Sequence, residues 1–309
     1  MIMKGGPLPT MTSQPMTEQQ TGPRLHHVDC LDATGLHRMG YWEWGASDNP
    51  DVVVCVHGLS RQGRDFDTLA RALAPRWRVI CPDVVGRGQS DWLTDPMGYQ
   101  VPAYVADMVT LVARLDVPQV SWVGTSMGGL IGMGLASLRN TPVRRLVLND
   151  VGPVIEYSSL QRIGTYLGAP VRFADEAQGA AFLRTISASF GPHTDEQWAA
   201  LSRPQFKRSE QGDLIPHYDP AIAAAFKAVT PEIAKAGEAM LWAAYDRIQA
   251  PTLLLRGADS DLLSPATAQA MTQRGPRARL VEFGGVGHAP TLVAADQVAA
   301  VVDFLEAGR

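Results

Sequence analysis

Val52-Val53-Val54-Cys55-Val56 is an unbroken apolar run, and similar runs recur at Trp77 to Cys81, Val120 to Val123, Leu146 to Leu148 and Thr252 to Leu255. A strand with one face in water alternates apolar and polar residues. A strand without alternation is covered on both faces, as in a parallel sheet. Between these runs lie segments of helical period: in Tyr104 to Leu115 the residues Tyr104, Val105, Met108, Leu111, Val112 and Leu115 fall on one helix face. Strands alternating with such helices predict right-handed βαβ units and a doubly wound α/β fold with a mostly parallel sheet. The opening differs. His26 to Asp32 and Leu36 to Trp44 read as strands joined by a turn at Ala33-Thr34-Gly35, an antiparallel hairpin.

The alternation stops after Asp150. From about Gly152 to Arg247 there is no central-strand run, only Ala-rich helical stretches such as Ala221 to Val229 and Glu232 to Tyr245. We expect a tail over residues 1–24, a core formed by residues 25–151 and 248–309, and a helical cap, residues 152–247, inserted in that core. The 309 residues exceed one average domain, but α/β chains of this size often form a single core with an insertion. Hydrophobic residues at 46% are enough to fill it.

The formal charge of −4 leaves no basic field for phosphate backbones or anionic lipid, so neither nucleic acid nor membrane is an expected partner. No apolar run approaches the ~20 residues of a membrane span. Residues 1–24 lack the apolar stretch of a signal peptide, which makes the cytoplasm the expected compartment. Cys30, Cys55 and Cys81 show no CxxC spacing, and two of them sit in strand-like runs, so they read as buried thiols.

The sharpest chemical signal is Gly124-Thr125-Ser126-Met127-Gly128-Gly129, directly after one apolar run and before the apolar helix Leu130 to Leu138. A serine on so sharp a strand-to-helix turn has a strained backbone, and its flanking positions need glycine because neighbouring chains come too close for a Cβ. The turn lifts the hydroxyl clear of the sheet, and the helix N-terminus favours developing negative charge. Ser126 is therefore the candidate nucleophile. Val56-His57-Gly58-Leu59 ends the first parallel run. A tight loop there can turn the Leu59 N–H towards the serine, forming an oxyanion hole with the N–H of Met127. His57 itself reads as a residue that shapes the loop. The candidate general base is His288, in Gly284-Gly285-Val286-Gly287-His288-Ala289-Pro290, where the glycines let the chain fold back towards the serine. His26, His27, His37, His193 and His217 carry weaker cases, and no HExxH, CxxC or clustered His/Asp spacing points to a metal.

These motifs, over about Leu36 to Leu305, resemble the α/β-hydrolase superfamily, specifically its capped esterase, lactonase and C–C hydrolase branch. The resemblance implies a nucleophile–acid–histidine chain order, a helical cap over the site, and a glycine turn, here Asp83-Val84-Val85-Gly86-Arg87-Gly88-Gln89-Ser90, packed beside the elbow. For the acid, Asp150, Asp259 and Asp261 compete, all past the carboxyl end of a strand. Loops of the family typically read Asp-x-x-x-Pro, which Asp261 to Pro265 fits, with Ser264 as helix N-cap and Pro265 opening the helix. Asp261 is thus the expected acid, Asp150 matches an alternative position used by some relatives, and Asp259 reads as a turn residue.

The implied activity is hydrolysis of a small-molecule carboxylic ester through an acyl-enzyme, without cofactor or metal. Lactonase, C–C hydrolase, cofactor-free perhydrolase and acyltransferase activities use the same triad, and a small-molecule receptor on this fold is the non-enzymatic alternative. Trp42, Trp44, Trp92, Trp198 and Trp242 are candidate pocket aromatics, and Arg61 and Arg64 candidate contacts for a substrate carboxylate.

Overall fold

A computed structural model describes residues 22–307. Most of the tail expected over residues 1–24 lies outside the described residues, and Arg24 already opens the first strand. Eight strands form the main sheet: β1 (Arg24–Asp32), β2 (Gly35–Trp44), β3 (Val52–Val56), β4 (Arg78–Pro82), β5 (Val120–Thr125), β6 (Val143–Asn149), β9 (Thr252–Gly257) and β10 (Arg279–Phe283). Their spatial order is β1-β2-β4-β3-β5-β6-β9-β10. The hairpin and the β2–β4 pair are antiparallel, and every later pair is parallel.

Both faces of the sheet are covered, as the unbroken apolar runs require. Along β3, Val52, Val54 and Val56 join one hydrophobic cluster, with Met108, Leu111 and Ile131. Val53 and Cys55 join the other, with Leu69, Leu73, Val301 and Leu305. The first cluster is closed by α2 (Val101–Arg114) and α3 (Met127–Ala136), the second by α1 (Asp67–Leu73) and α10 (Ala295–Glu306). Helix α2 starts three residues before the apolar pattern does, because Pro102 sits in its first turn, where a missing N–H costs nothing. All three cysteines are buried, free thiols.

Between β6 and β9 the chain leaves the sheet. It forms α4 (Tyr157–Tyr166), α5 (Glu176–Ile186), α6 (Asp195–Ser202), a ribbon of β7 (Phe206–Arg208) and β8 (Leu214–Pro216), then α7 (Ile222–Lys227) and α8 (Pro231–Tyr245). Helix α9 (Pro265–Met271) follows β9, and its N-cap is Ser264, whose hydroxyl accepts from the Thr267 N–H. No helix among the described residues is long and apolar enough to cross a membrane.

Candidate active site

Ser126 stands at the junction of β5 and α3 with φ 52° and ψ −116°, a conformation in which a side chain is strained. The glycines around it are dictated by space. A Cβ on Gly128 would lie 2.0 Å from the Val56 carbonyl oxygen, and one on Gly124 would lie 2.2 Å from the Gly128 carbonyl oxygen. Helix α3 can therefore start directly against β3 and β5, and the hydroxyl points away from the sheet.

His288, in the loop between β10 and α10, places Nε2 3.0 Å from Ser126 Oγ. Its Nδ1 lies 2.7 Å from Asp150 Oδ2. Because a carboxylate can only accept, Nδ1 carries the proton, and Nε2 is left to accept from the serine hydroxyl.

The carboxylate at His288 is thus Asp150, not Asp261 as the Asp-x-x-x-Pro spacing led us to expect. Asp150 directly follows β6, is fully buried and turns at φ 56°, a conformation that aspartate tolerates better than most residues. Its Oδ1 accepts from the Gly257 N–H (3.0 Å), and its Oδ2 accepts from the Ser260 hydroxyl (2.6 Å) besides the imidazole. Asp261 faces the other way: its side chain is 47% exposed and takes both oxygens to Arg162 on α4, at 2.8 and 3.0 Å. Asp259 is exposed, and its backbone N–H closes the turn onto Val286 O. The loop after β9 supplies a hydroxyl, Ser260, where a carboxylate was expected.

The two expected oxyanion donors flank the serine. Met127 is the first residue of α3, and Leu59 lies in the loop after β3, where a Cβ on Gly58 would be 3.7 Å from Ser126 Cβ. Among the described residues neither the Leu59 nor the Met127 N–H donates to another protein group. His57 is confirmed in its structural place: Nδ1 donates to Gly58 O (2.7 Å), and Nε2 accepts from the Val84 N–H (2.9 Å). Burial, aided by the positive charges of Arg87 and Arg61, holds this imidazole down to about 3, so it stays neutral.

A cavity of about 110 Å³ opens over Ser126 and His288. The core contributes Leu59, Arg61 and Phe66 to its wall, and the insertion contributes Ile163, Tyr166, Leu183, Ile186 and Phe190. None of the five tryptophans singled out in the sequence lines it. Trp198 stacks on Phe190 behind the wall, while Trp42, Trp44 and Trp242 lie under the guanidinium groups of Arg64, Arg71 and Arg274. Arg61 does line the cavity, paired bidentately with Asp65 at 2.6 and 2.9 Å. Burial raises the Asp65 carboxyl, against the pull of that arginine. Arg64 is bound to Asp67 and contributes nothing to the wall.

Among the described residues one group could offer a metal three ligand atoms within 4.8 Å of one another: Cys30, His37 and Asp107. It joins the hairpin to α2, elements that contribute nothing to the cavity, and His37 Nε2 is already 3.1 Å from Asp107 Oδ2.

Residues 51–295 match the family described as alpha/beta hydrolase fold. A 3-hydroxybutyrate-oligomer hydrolase of Cupriavidus necator is 55% identical over 285 residues, 91% of this chain and 97% of that protein. A solved alpha/beta hydrolase from Novosphingobium aromaticivorans superposes with a TM-score of 0.81 at 34% identity, covering 93% of this chain and 99% of its own. A solved structure from Rickettsia typhi reaches a TM-score of 0.83 at 29% identity, covering 92% and 99% respectively.

Proposed function

The chain belongs to the α/β-hydrolase family and is an ester-cleaving hydrolase, and from that premise we propose that it cleaves short oligomers of 3-hydroxybutyrate through a Ser126–His288–Asp150 triad. The observation that carries the mechanism is the continuous line from Ser126 Oγ to His288 Nε2 (3.0 Å) and from His288 Nδ1 to Asp150 Oδ2 (2.7 Å).

In the first half-reaction His288 Nε2 takes the Ser126 proton as Oγ attacks the ester carbonyl. The carbonyl oxygen becomes an anion and accepts from the N–H groups of Leu59 and Met127. Asp150 stabilises the imidazolium without itself taking the proton. The intermediate collapses to an acyl-serine, and His288 passes its proton to the departing alcohol oxygen. In the second half-reaction His288 removes a proton from water, the resulting hydroxide attacks the acyl carbon, and Ser126 Oγ leaves with that proton. Ester and water become acid and alcohol, and the enzyme is restored.

The substrate class follows the Cupriavidus necator relative, which shares 55% of its aligned residues with this chain. The cavity supports it. Its volume, about 110 Å³, is far below the ~300 Å³ at which drug-sized sites begin, so a short acyl unit suits it better than a long fatty chain. Its wall mixes apolar Leu59, Ile163 and Leu183 with polar Ser60, Arg61 and Ser187, as an acyl unit bearing a hydroxyl would require. The insertion acts in this reading as a lid that shapes the acyl pocket. The test is acid release from the linear dimer and trimer of 3-hydroxybutyrate by the purified protein and by Ser126→Ala. Turnover by the native protein alone is the expected result. Turnover of simple aryl butyrates with none of the oligomers would overturn the substrate class, and an active Ser126→Ala would overturn the mechanism.

A further inference from the structure

Arg87 is a fully buried cation that reaches the side chain of Met127, the residue after Ser126, and it has no part in the proposed acyl transfer. It sits in the glycine turn after β4, between Gly86 (φ 85°) and Gly88 (φ 53°). A Cβ on Gly86 would lie 2.6 Å from the Tyr99 ring, and one on Gly88 would lie 2.3 Å from Asp83 Oδ2, so the turn is compressed until Arg87 is driven inwards.

Its hydrogen bonds are all to neutral groups. Nε donates to Leu59 O (2.9 Å), and Nη1 donates to Val85 O (2.7 Å) and to the Tyr104 hydroxyl (3.0 Å). Nη2 points at Met127 Sδ, 3.6 Å away. The guanidinium carbon lies 5.7 and 5.2 Å from the ring centres of Tyr99 and Tyr104. Among the described residues no carboxylate pairs with it; Asp219 stops at the Tyr99 hydroxyl, 2.5 Å away. A buried charge without a counter-ion is costly, and arginine keeps its charge at any pH at which enzymes work.

Two of its four side-chain partners belong to Leu59 and Met127, whose N–H groups are the oxyanion donors. The positive charge also reaches the loop: Arg87 is among the charges that oppose protonation of His57, after burial itself. An unpaired cation held behind an oxyanion hole is uncompensated in the ground state and favoured when an anion forms in front of it.

We propose that Arg87 is a positioning residue of the oxyanion hole: its buried guanidinium fixes Leu59 and Met127 in place and lends its charge to the anionic tetrahedral intermediate. The proposal rests on the serine-hydrolase reading and adds to it a dependence on charge outside the triad.

The test compares the native protein with Arg87→Lys, Arg87→Gln and Tyr104→Phe. For each, kcat and KM on an aryl butyrate, the Ki of an alkyl boronic acid and the melting temperature are measured. The boronic acid forms an anionic tetrahedral adduct on serine and so reports on the intermediate. Arg87→Gln is expected to lower kcat roughly 100-fold, within the range of losing one oxyanion donor, with KM within about threefold and Ki rising in proportion to the fall in kcat/KM. Arg87→Lys should recover about tenfold of that loss. Tyr104→Phe leaves the charge in place, provides a folded variant if the arginine changes unfold the protein, and should lower kcat about threefold at unchanged KM. Equal kcat in Arg87→Gln and the native protein, identical losses in Gln and Lys, or a fall in melting temperature with unchanged Ki would overturn the proposal. If both arginine variants unfold, an unchanged kcat in Tyr104→Phe overturns it. Labelling of Ser126 by a fluorophosphonate in the native protein separates the two readings: no label there removes the serine mechanism, whereas label with indifferent Arg87 variants removes only the role of Arg87.

Discussion

The imidazole of His288 is held by Asp150, a residue at the end of β6, across 138 positions of sequence and at 2.7 Å. The pairing fixes which nitrogen bears the proton and places the carboxylate just past the strand adjacent to the one that leads into Ser126, since β5 and β6 are hydrogen-bonded neighbours. Asp150→Asn preserves shape but allows the amide to donate to Nδ1 and so favours the wrong tautomer. The expected loss in kcat is about 10³- to 10⁴-fold. Asp261→Asn removes an exposed ion pair with Arg162, should change stability by no more than about 1 kcal/mol, and should leave kcat within about threefold. Steady-state kinetics of the two variants decide between the residues: a silent Asp150→Asn beside a crippled Asp261→Asn would reverse the assignment.

The sequence made the scaffold of this site legible but not its third member. The elbow at Ser126 and the loop of His288 were readable because both need glycines for local reasons, the close approach of Gly128 to Val56 among them. The sheet was readable because Val52 to Val56 has no polar face to offer water. The acid had no comparable local signature: Asp150 and Asp261 both follow a strand, and only the path of the intervening chain decides which one turns inwards. Asp261 was claimed by Arg162, which belongs to the insertion, and nothing in the pattern of α4 announces where that guanidinium will reach. The hint that existed was Ser260, a hydroxyl beside the expected carboxylate position, whose partner is Asp150. Arg87 was hidden in the same way, inside a turn that reads as packing.

Ser260 should be a measurable part of the acid. Its hydroxyl donates to Asp150 Oδ2 at 2.6 Å, on the same oxygen that faces the imidazole. A hydrogen bond to a charged group contributes about 1.5–3 kcal/mol, so Ser260→Ala is expected to lower kcat roughly tenfold to a hundredfold, clearly less than Asp150→Asn. A loss as deep as that of Asp150→Asn would mean that Ser260 holds the whole loop in place.

The elbow should be intolerant of the smallest side chain. Gly128→Ala puts a methyl group 2.0 Å from the Val56 carbonyl oxygen, and the obstacle is backbone rather than a movable side chain. Separation of α3 from β3 is the only relief. A destabilisation of about 3 kcal/mol or more is expected, visible as a shift in the urea midpoint, together with loss of Ser126 labelling. An undisturbed midpoint would show that α3 can be displaced freely.

Two buried groups in the loops beside the site should give stability opposite pH slopes. His57 is held down to about 3 from 6.5, chiefly by burial, so between those values the unfolded chain binds more protons than the folded one. Its stabilising contribution is complete above about pH 6.5 and is lost as the pH falls towards 3. Asp83 is raised from 3.8 to about 6 by burial, so in that window the folded chain binds more protons, and stability falls as the pH rises through it. Urea titrations from pH 4 to 8 can isolate each contribution by subtraction. The advantage of native protein over His57→Gln should shrink as the pH drops below 6.5, whereas its advantage over Asp83→Asn should shrink as the pH rises from 4 to 6. Parallel curves for all three proteins would contradict both assignments.

The insertion should govern which acyl group is accepted. Leu183 and Ile186 project from α5 into the cavity that holds Ser126 and His288, while Ser126, His288, Asp150, Leu59 and Met127 all belong to the core. Truncating either side chain enlarges the acyl pocket without touching the groups that break the bond. A methylene in an apolar pocket is worth about 1–3 kcal/mol in discrimination. Leu183→Ala and Ile186→Ala are therefore expected to raise kcat/KM for hexanoate esters relative to acetate esters by about three- to tenfold, with attack on acetate nearly unchanged. Leu183 is the more buried of the two, and its truncation also carries a stability cost of about 2–3 kcal/mol. The ratio of the two esters cancels any loss of folded enzyme, so it isolates selection from stability. A ratio that stays fixed while both rates fall together would mean that α5 supports the fold and leaves the choice of substrate to Leu59, Phe66 and the rest of the core wall.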